Sequence, residues 1–127
     1  IADATGEEAR RQGLRRLGLL GTLNVMEETF ISGHLQEHHR IETLTPDASA
    51  RFEMNRYIVE EMTKGVFSKE AKAFVLDQMK ELKSKGADGI MLGCTELPIL
   101  IKPDDFLLPT LDTTRLHAEK AVAFILS

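Results

Sequence analysis

The chain has 127 residues and a formal net charge of −4, with 43% hydrophobic and 28% charged residues. These values are typical of one globular domain that is long enough to bury a core. The negative charge offers no basic surface for nucleic acid or an anionic membrane, so we expect neither partner. Apolar runs too short to span a bilayer and a single cysteine lead us to expect a cytoplasmic protein.

The first third of the chain predicts a helix, a strand and a second helix. Residues 7 to 13 indicate a helix that ends near Gly13, and residues 17 to 20 indicate a short buried strand. Asn24 and Glu27 resemble the capping pair that begins a helix. The apolar face of that helix is predicted to consist of Met26, Phe30, Ile31 and Leu35.

The middle of the chain predicts a strand and two helices. Residues 40 to 46 indicate the strand, and residues 50 to 65 a helix with apolar residues at intervals of four. The clearest helix begins after a cap at Ser68 and ends at Gly86. Its core stripe is predicted to be Ala71, Phe74, Val75, Met79 and Leu82.

The last third predicts a strand at residues 87 to 93, a short helix within residues 95 to 101 and a strand edge within residues 106 to 112. Asp112 is expected to cap a final helix. Strands that alternate with helices of this length predict an α/β fold. We therefore expect a small parallel sheet of about four strands, flanked by helices.

The segment GIMLGCTELPILI, residues 89 to 101, places the only cysteine, Cys94, directly after an apolar strand. Ligands of parallel α/β proteins bind outside the carboxyl ends of the strands, where Thr95 would offer a hydroxyl and an N–H to a substrate carboxylate. The next helix would favour a thiolate, whereas Glu96 would raise the thiol pKa. The sequence does not decide between these effects. A lone cysteine after a strand is also often a small buried hydrophobe.

Two other kinds of site have little support in the sequence. No Cys or His lies at ligand spacing from Cys94, so we expect no metal there. His34, His38 and His39 are interpreted as exposed residues near a helix end. A Ser/His/Asp hydrolase is unsupported because the chain has no G-x-S-x-G motif.

The segments GCTELPILI and LPTLDTTRLHAEKAVAF resemble the C-terminal half of the aspartate/glutamate racemase family. IADAT, GLLGT and YIVEEMTKGVF extend the resemblance over essentially the whole chain. It implies an amino-acid racemase that uses two cysteines without pyridoxal phosphate or metal. One thiolate removes the α-proton and the other thiol returns a proton on the opposite face. By this resemblance Cys94 is one of the two thiols.

The resemblance also implies roles for residues around Cys94. Lys64 matches a lysine that binds the side-chain carboxylate of the substrate, although it also fits a solvated helix end. Thr22 would contact substrate or cap the next helix, and capping is the safer interpretation. Glu96 would support the thiol. Val25 stands where many relatives have threonine, which leaves the identity of the substrate open.

Members of the family are nearly twice as long and have two similar α/β domains. The resemblance therefore implies that residues 1–127 are the C-terminal domain, that the N-terminal domain is absent and that this part alone is inactive. The start at Ile1 rather than Met predicts a fragment. Residues 112–127 are expected to pack toward the missing domain or into a homodimer, and His117 is expected on their polar face.

Two alternatives remain open at this stage. A single-thiol relative, of the decarboxylase or maleate isomerase type, would need only Cys94. A non-catalytic module that binds carboxylates or dimerises would need no acid–base chemistry.

Overall fold

The computed structural model describes residues 2–127, in which helices and strands alternate along the chain. The strands are β1 (Arg16–Leu20), β2 (Glu42–Leu44), β3 (Gly89–Leu92) and β4 (Thr110–Asp112). The helices are α1 (Ala2–Arg11), α2 (Leu23–Glu27), α3 (Thr29–His39), α4 (Ala48–Glu60), α5 (Lys69–Ser84), α6 (Leu97–Leu100) and α7 (Thr113–Leu126). Two 3-10 turns lie at Met62–Lys64 and Pro103–Asp105.

The four strands form one parallel sheet in the order β2-β1-β3-β4. Leu92 of β3 pairs with Leu20 of β1 on one side and with Asp112 of β4 on the other. The last residues of these three strands therefore lie level with one another, at one edge of the sheet. The predicted α/β fold, with a four-stranded parallel sheet between helices, is confirmed.

Helices cover both faces of the sheet, because successive strand residues point to opposite sides. On one face, α4 and α5 pack against residues that include Leu20, Ile90 and Leu92. On the other face, Ala9 of α1 and Leu35 of α3 belong to a cluster with Leu17, Leu19, Met91 and Leu111. Full burial of one such leucine side chain contributes about 1.5–3 kcal/mol relative to its exposure.

Helix α5 follows its predicted pattern closely. The Ser68 hydroxyl accepts a hydrogen bond from the Ala71 N–H at 3.1 Å, which confirms the predicted cap. Ala71, Val75, Met79 and Leu82 are buried, and Phe74 is partly buried against the same cluster. Gly86, beyond the helix end, has a φ of 107°, a conformation that glycine adopts without strain.

The single helix predicted from the Asn24 cap, with Met26, Phe30, Ile31 and Leu35 on one apolar face, is wrong in three respects. The chain forms two helices, because Glu28 has an extended backbone and its carboxylate accepts the Phe30 N–H as a cap for α3. Helix α2 is capped by Thr22 rather than Asn24. The break also turns Phe30 away from the core, and 70% of that residue is exposed.

The interpretation of all three neighbouring histidines as exposed residues is wrong for two of them. His34 and His39 are partly buried, and both direct Nε2 toward one carboxylate oxygen of Asp3, at 2.6 and 3.0 Å. Their hydrogen bonds hold the pKa of the Asp3 carboxyl well below its usual range. Only His38 is fully exposed. The sequence did not indicate this cluster, because Asp3 lies on α1, more than 30 residues before the two histidines.

Helix α7 begins at the sheet and continues beyond the core. The Asp112 carboxylate accepts the Arg115 N–H at 3.0 Å, so the predicted cap is confirmed. His117 is exposed, and the last four apolar residues with large exposed fractions are Val122, Phe124, Ile125 and Leu126. Among residues 2–127, none of the helices is both long and apolar enough to cross a membrane.

Candidate active site

The carboxyl edge of the sheet brings together the residues that follow β1 and β3. The Gly93 N–H donates to the Leu20 carbonyl at 2.7 Å, so the segment that follows β3 stays paired with β1 for one more residue. Thr22 and Cys94 each lie two residues beyond the paired Leu20 and Leu92. Thr22 and Cys94 therefore lie just beyond two adjacent strands, both at the carboxyl edge of the sheet.

Two glycines make this close approach possible. A Cβ added at Gly93 would lie 2.9 Å from the carbonyl oxygen of Leu20, a distance that real Cβ atoms do not adopt. A Cβ at Gly21 would lie 3.0 Å from the Val25 side chain. The sequences GLLGT and MLGCT thus place glycine where a backbone or side chain passes closely, directly before the threonine and the cysteine.

The Cys94 thiol is half-buried against the larger core cluster. Burial raises the pKa of this thiol to about 11, and the Glu96 carboxylate adds to the rise. The backbone N–H groups of Leu97 and Glu96 act in the opposite direction. Helix α6 is a single turn, so its dipole is small. Burial therefore outweighs the two N–H groups and favours the protonated thiol over the thiolate.

Thr95 and Glu96 form a hydrogen-bonded pair beside the thiol. The Thr95 hydroxyl donates to a Glu96 carboxylate oxygen at 2.8 Å, and Thr95 is exposed. A hydroxyl has one proton to donate. In this arrangement Thr95 can offer a carboxylate ligand its backbone N–H, and its hydroxyl becomes a donor only after it leaves Glu96.

Thr113 supports the segment that carries Cys94, a role that the sequence did not indicate. Its buried hydroxyl donates to the Leu92 carbonyl at 3.2 Å and so ties the start of α7 to the end of β3. The residue was visible within the DTTRLHAE block, but its partner lies 21 residues earlier in the chain. Only the paired strands bring the two together.

Thr22 and Asn55 shape the neighbouring strand end. Thr22 Oγ1 accepts a long hydrogen bond of 3.5 Å from the Val25 N–H, which confirms that it caps α2. The Asn55 side chain accepts the Leu23 N–H at 2.8 Å, so α4 is fastened beside the end of β1. An open groove of about 530 Å³ is lined here by Thr22, Leu23, Asn24, Glu27, Glu28, Asn55 and Val59.

Lys64 is the exposed last residue of the 3-10 turn that joins α4 to α5. Helix α5 runs antiparallel to the strands, because it ends just before β3 begins. Its first turn therefore lies at the carboxyl edge of the sheet, and Lys64 precedes that turn. Within residues 2–127, Lys64 forms no hydrogen bond or ion pair with Cys94, Thr95 or Thr22. The structure thus brings Thr22 and Cys94 to adjacent strand ends, whereas Lys64 lies exposed on the turn before α5.

The fold and this edge define a class: parallel α/β domains that carry a lone thiol at a strand end. The profile of the Asp/Glu/hydantoin racemase family matches residues 1–121. The chain belongs to this family.

Solved structures give the same result. The chain is similar to a Yersinia pestis protein provisionally assigned as an Asp/Glu racemase, with 40% identity and a TM-score of 0.94 over 99% of this chain. It is similar to an aspartate racemase homologue from Pyrococcus horikoshii OT3, with 32% identity and a TM-score of 0.91 over 99% of this chain. An aspartate racemase from Picrophilus torridus, at 21% identity, shares the fold, with a TM-score of 0.68 over 88% of this chain.

The chain spans 55% of the length of the first two relatives and 46% of the third.

Proposed function

We propose that this chain forms one wall of the active site of a cofactor-independent amino-acid racemase, in which Cys94 is one of two acid–base thiols. The observation that carries the proposal is the position of Cys94, directly beyond the carboxyl end of β3 and beside the end of β1. Ligands of parallel α/β proteins gather at this edge. Family membership supports the reaction class.

The reaction requires a base and an acid on opposite faces of the α-carbon. A thiolate on the facing wall takes the α-proton, so the Cα–H bond breaks and a planar carbanion remains. Cys94 then gives its S–H proton to the other face and becomes the thiolate. The raised pKa of Cys94 suits this second step, because the thiol holds its proton until a strongly basic carbanion forms. The reverse reaction exchanges the two roles.

Three neighbouring groups are assigned to substrate binding. The Thr95 N–H binds the α-carboxylate, and Glu96 orients the Thr95 hydroxyl, as their 2.8 Å hydrogen bond suggests. Lys64 binds the side-chain carboxylate of aspartate or glutamate, since it is exposed on the turn that precedes α5, the helix that begins at the carboxyl edge. Thr22 completes the wall at the end of β1.

The second thiol is assigned to an N-terminal half. The coverage of about 55% of the relatives supports this, because a similar half would account for the remaining length. The exposed apolar end of α7, at Val122 and Phe124 to Leu126, supports a surface that packs against the missing half. We further assign the two-domain protein to the cytoplasm as a homodimer.

The test is exchange of the α-proton for deuterium, followed by NMR with the L and D forms of aspartate and glutamate. It compares the chain, the whole protein and Cys94→Ser. We expect exchange by the whole protein only, and Cys94→Ser should lower it by about 10²–10⁴-fold, the usual contribution of a general acid or base. Lys64→Gln should raise KM, whereas Lys80→Gln, at an exposed position of α5, should leave it unchanged.

Each alternative has its own outcome in this experiment. Full exchange by Cys94→Ser would remove Cys94 from the chemistry and favour a carboxylate-binding module. Exchange that depends on Cys94 but on no second cysteine would favour a single-thiol enzyme of the decarboxylase or maleate isomerase type.

A further inference from the structure

Three side chains converge between α1 and α3, the two helices that cover one face of the sheet. His34 Nε2 lies 2.6 Å and His39 Nε2 lies 3.0 Å from the same Oδ1 atom of Asp3. All three ligand atoms lie within 4.8 Å of one another. The side chain of His39 is 10% exposed, that of His34 26% and that of Asp3 55%. The cluster is thus half-sheltered, with an opening on the side of the carboxylate.

The two helices are shaped to accept this cluster. Gly6 lies one turn after Asp3 on α1, and a Cβ at Gly6 would lie 2.5 Å from the His39 ring. Glycine therefore lets the imidazole lie directly against α1. Arg40, in the left-handed conformation with a φ of 56°, ends α3 immediately after His39. His39 is therefore the last helical residue of α3, next to the Asp3 turn of α1.

We propose that Asp3, His34 and His39 form a binding site for a divalent transition metal, with Zn²⁺ as the best match, which clamps α1 to α3. Two imidazole nitrogens and one carboxylate oxygen are ligands that zinc prefers, and the fourth position is taken by water or by His38. The ring of His38 lies 4.4 Å from that of His34, centroid to centroid. His34 and His38 also have the H-x3-H spacing of many zinc sites.

The change needed to admit the metal is small. Zinc lies about 2.0–2.2 Å from nitrogen and oxygen ligands, so ligand atoms stand a little over 3 Å apart in a tetrahedron. The present 2.6 and 3.0 Å contacts are hydrogen bonds in which each Nε2–H donates to the carboxylate. Binding would move these two protons to Nδ1 or to solvent. Asp3, in the exposed first turn of α1, can rotate outward to make room.

The simpler alternative is that the three residues only hydrogen-bond α1 to α3. Isothermal titration of the 127-residue chain with ZnCl₂, in a buffer that does not chelate zinc, separates the two. We expect one ion per chain. His34→Gln and His39→Gln should each weaken binding by more than about tenfold, since even indirect support of a metal ligand is worth that much. His117→Gln, at an exposed histidine of α7, should bind as the unchanged chain does.

A second pair of variants tests the carboxylate. Asp3→Asn keeps a hydrogen-bond acceptor for the imidazoles but removes the charge, so it should weaken zinc binding and abolish the rise in Tm that zinc produces. Glu7→Gln, on the same helix and paired with Lys120, should change neither. Co²⁺ should give the intense visible bands of a four-coordinate site in the unchanged chain and not in His34→Gln.

Either of two results would overturn the proposal. Absence of saturable zinc binding would leave a hydrogen-bonded link only. Undiminished binding by a His34→Gln/His39→Gln double variant would place the metal elsewhere. Neither result depends on racemase activity, so this test stands apart from the proposed function.

Discussion

The hydrogen bond between the Thr113 hydroxyl and the Leu92 carbonyl should be measurable by one substitution that preserves shape. Thr113→Val replaces the hydroxyl by a methyl group at a site that is 5% exposed. The change removes a buried hydrogen bond of 3.2 Å and leaves the Leu92 carbonyl without this donor. Losing such a partner costs about 1–3 kcal/mol of unfolding free energy. For a domain of this length, that lowers Tm by about 4 °C per kcal/mol.

The adjacent Thr114 provides the matched control, because it has the same side chain in an exposed position. Thr114→Val should change the free energy of unfolding by less than about 0.5 kcal/mol. Equilibrium urea unfolding, followed by far-ultraviolet circular dichroism, measures both variants. Equal stability of the two would refute the argument that Thr113 anchors the end of β3. In the whole protein, Thr113→Val should also lower kcat, since the same bond holds the segment before Cys94.

Two further predictions concern a helix cap and the thiol. Ser68→Ala should lower the free energy of unfolding by about 1 kcal/mol, because the Ala71 N–H loses its partner, whereas Ser84→Ala near the end of α5 should cost less. The rate at which Cys94 reacts with a disulfide reagent should keep rising with pH to about 11, while the urea-unfolded chain levels off near the ordinary thiol pKa. Stability should correspondingly fall as the pH rises from that ordinary value to about 11, since only the unfolded thiol loses its proton there. A folded-state plateau near neutral pH would show that the N–H groups outweigh burial.

The parts of the fold that the sequence predicted are those with local, repeated signals. The stripe along α5 recurs at intervals of three and four residues, and Ser68 stands where a cap belongs. Cys94 was placed at a strand end because the apolar run Ile90, Met91 and Leu92 and then Gly93 precede it. Such signals depend on neighbours within one or two turns, so a single sequence contains them.

The contacts that it did not predict join residues far apart in the chain. Asp3 meets His34 across 31 residues, and Thr113 meets Leu92 across 21. No local pattern encodes which helix will lie against which. The break at Glu28 is a different case, because its cap is local: the Glu28 carboxylate accepts the N–H of Phe30, two residues further on.

The raised pKa of the Cys94 thiol has a consequence for the proposed two-thiol function. In a two-thiol reaction, one thiol must be protonated while the other is a thiolate, and the two must exchange these states when the reaction runs backward. A pKa near 11 allows Cys94 to act as the acid but makes it a poor base at neutral pH. Burial causes most of the rise, and a second wall would bury the thiol further. Reversal therefore requires positive charge near Cys94, and the ammonium group of a bound amino acid is the natural source. Under the proposed two-thiol function, the ammonium group of the bound substrate would therefore lower the pKa of Cys94 and so help it to act as the base.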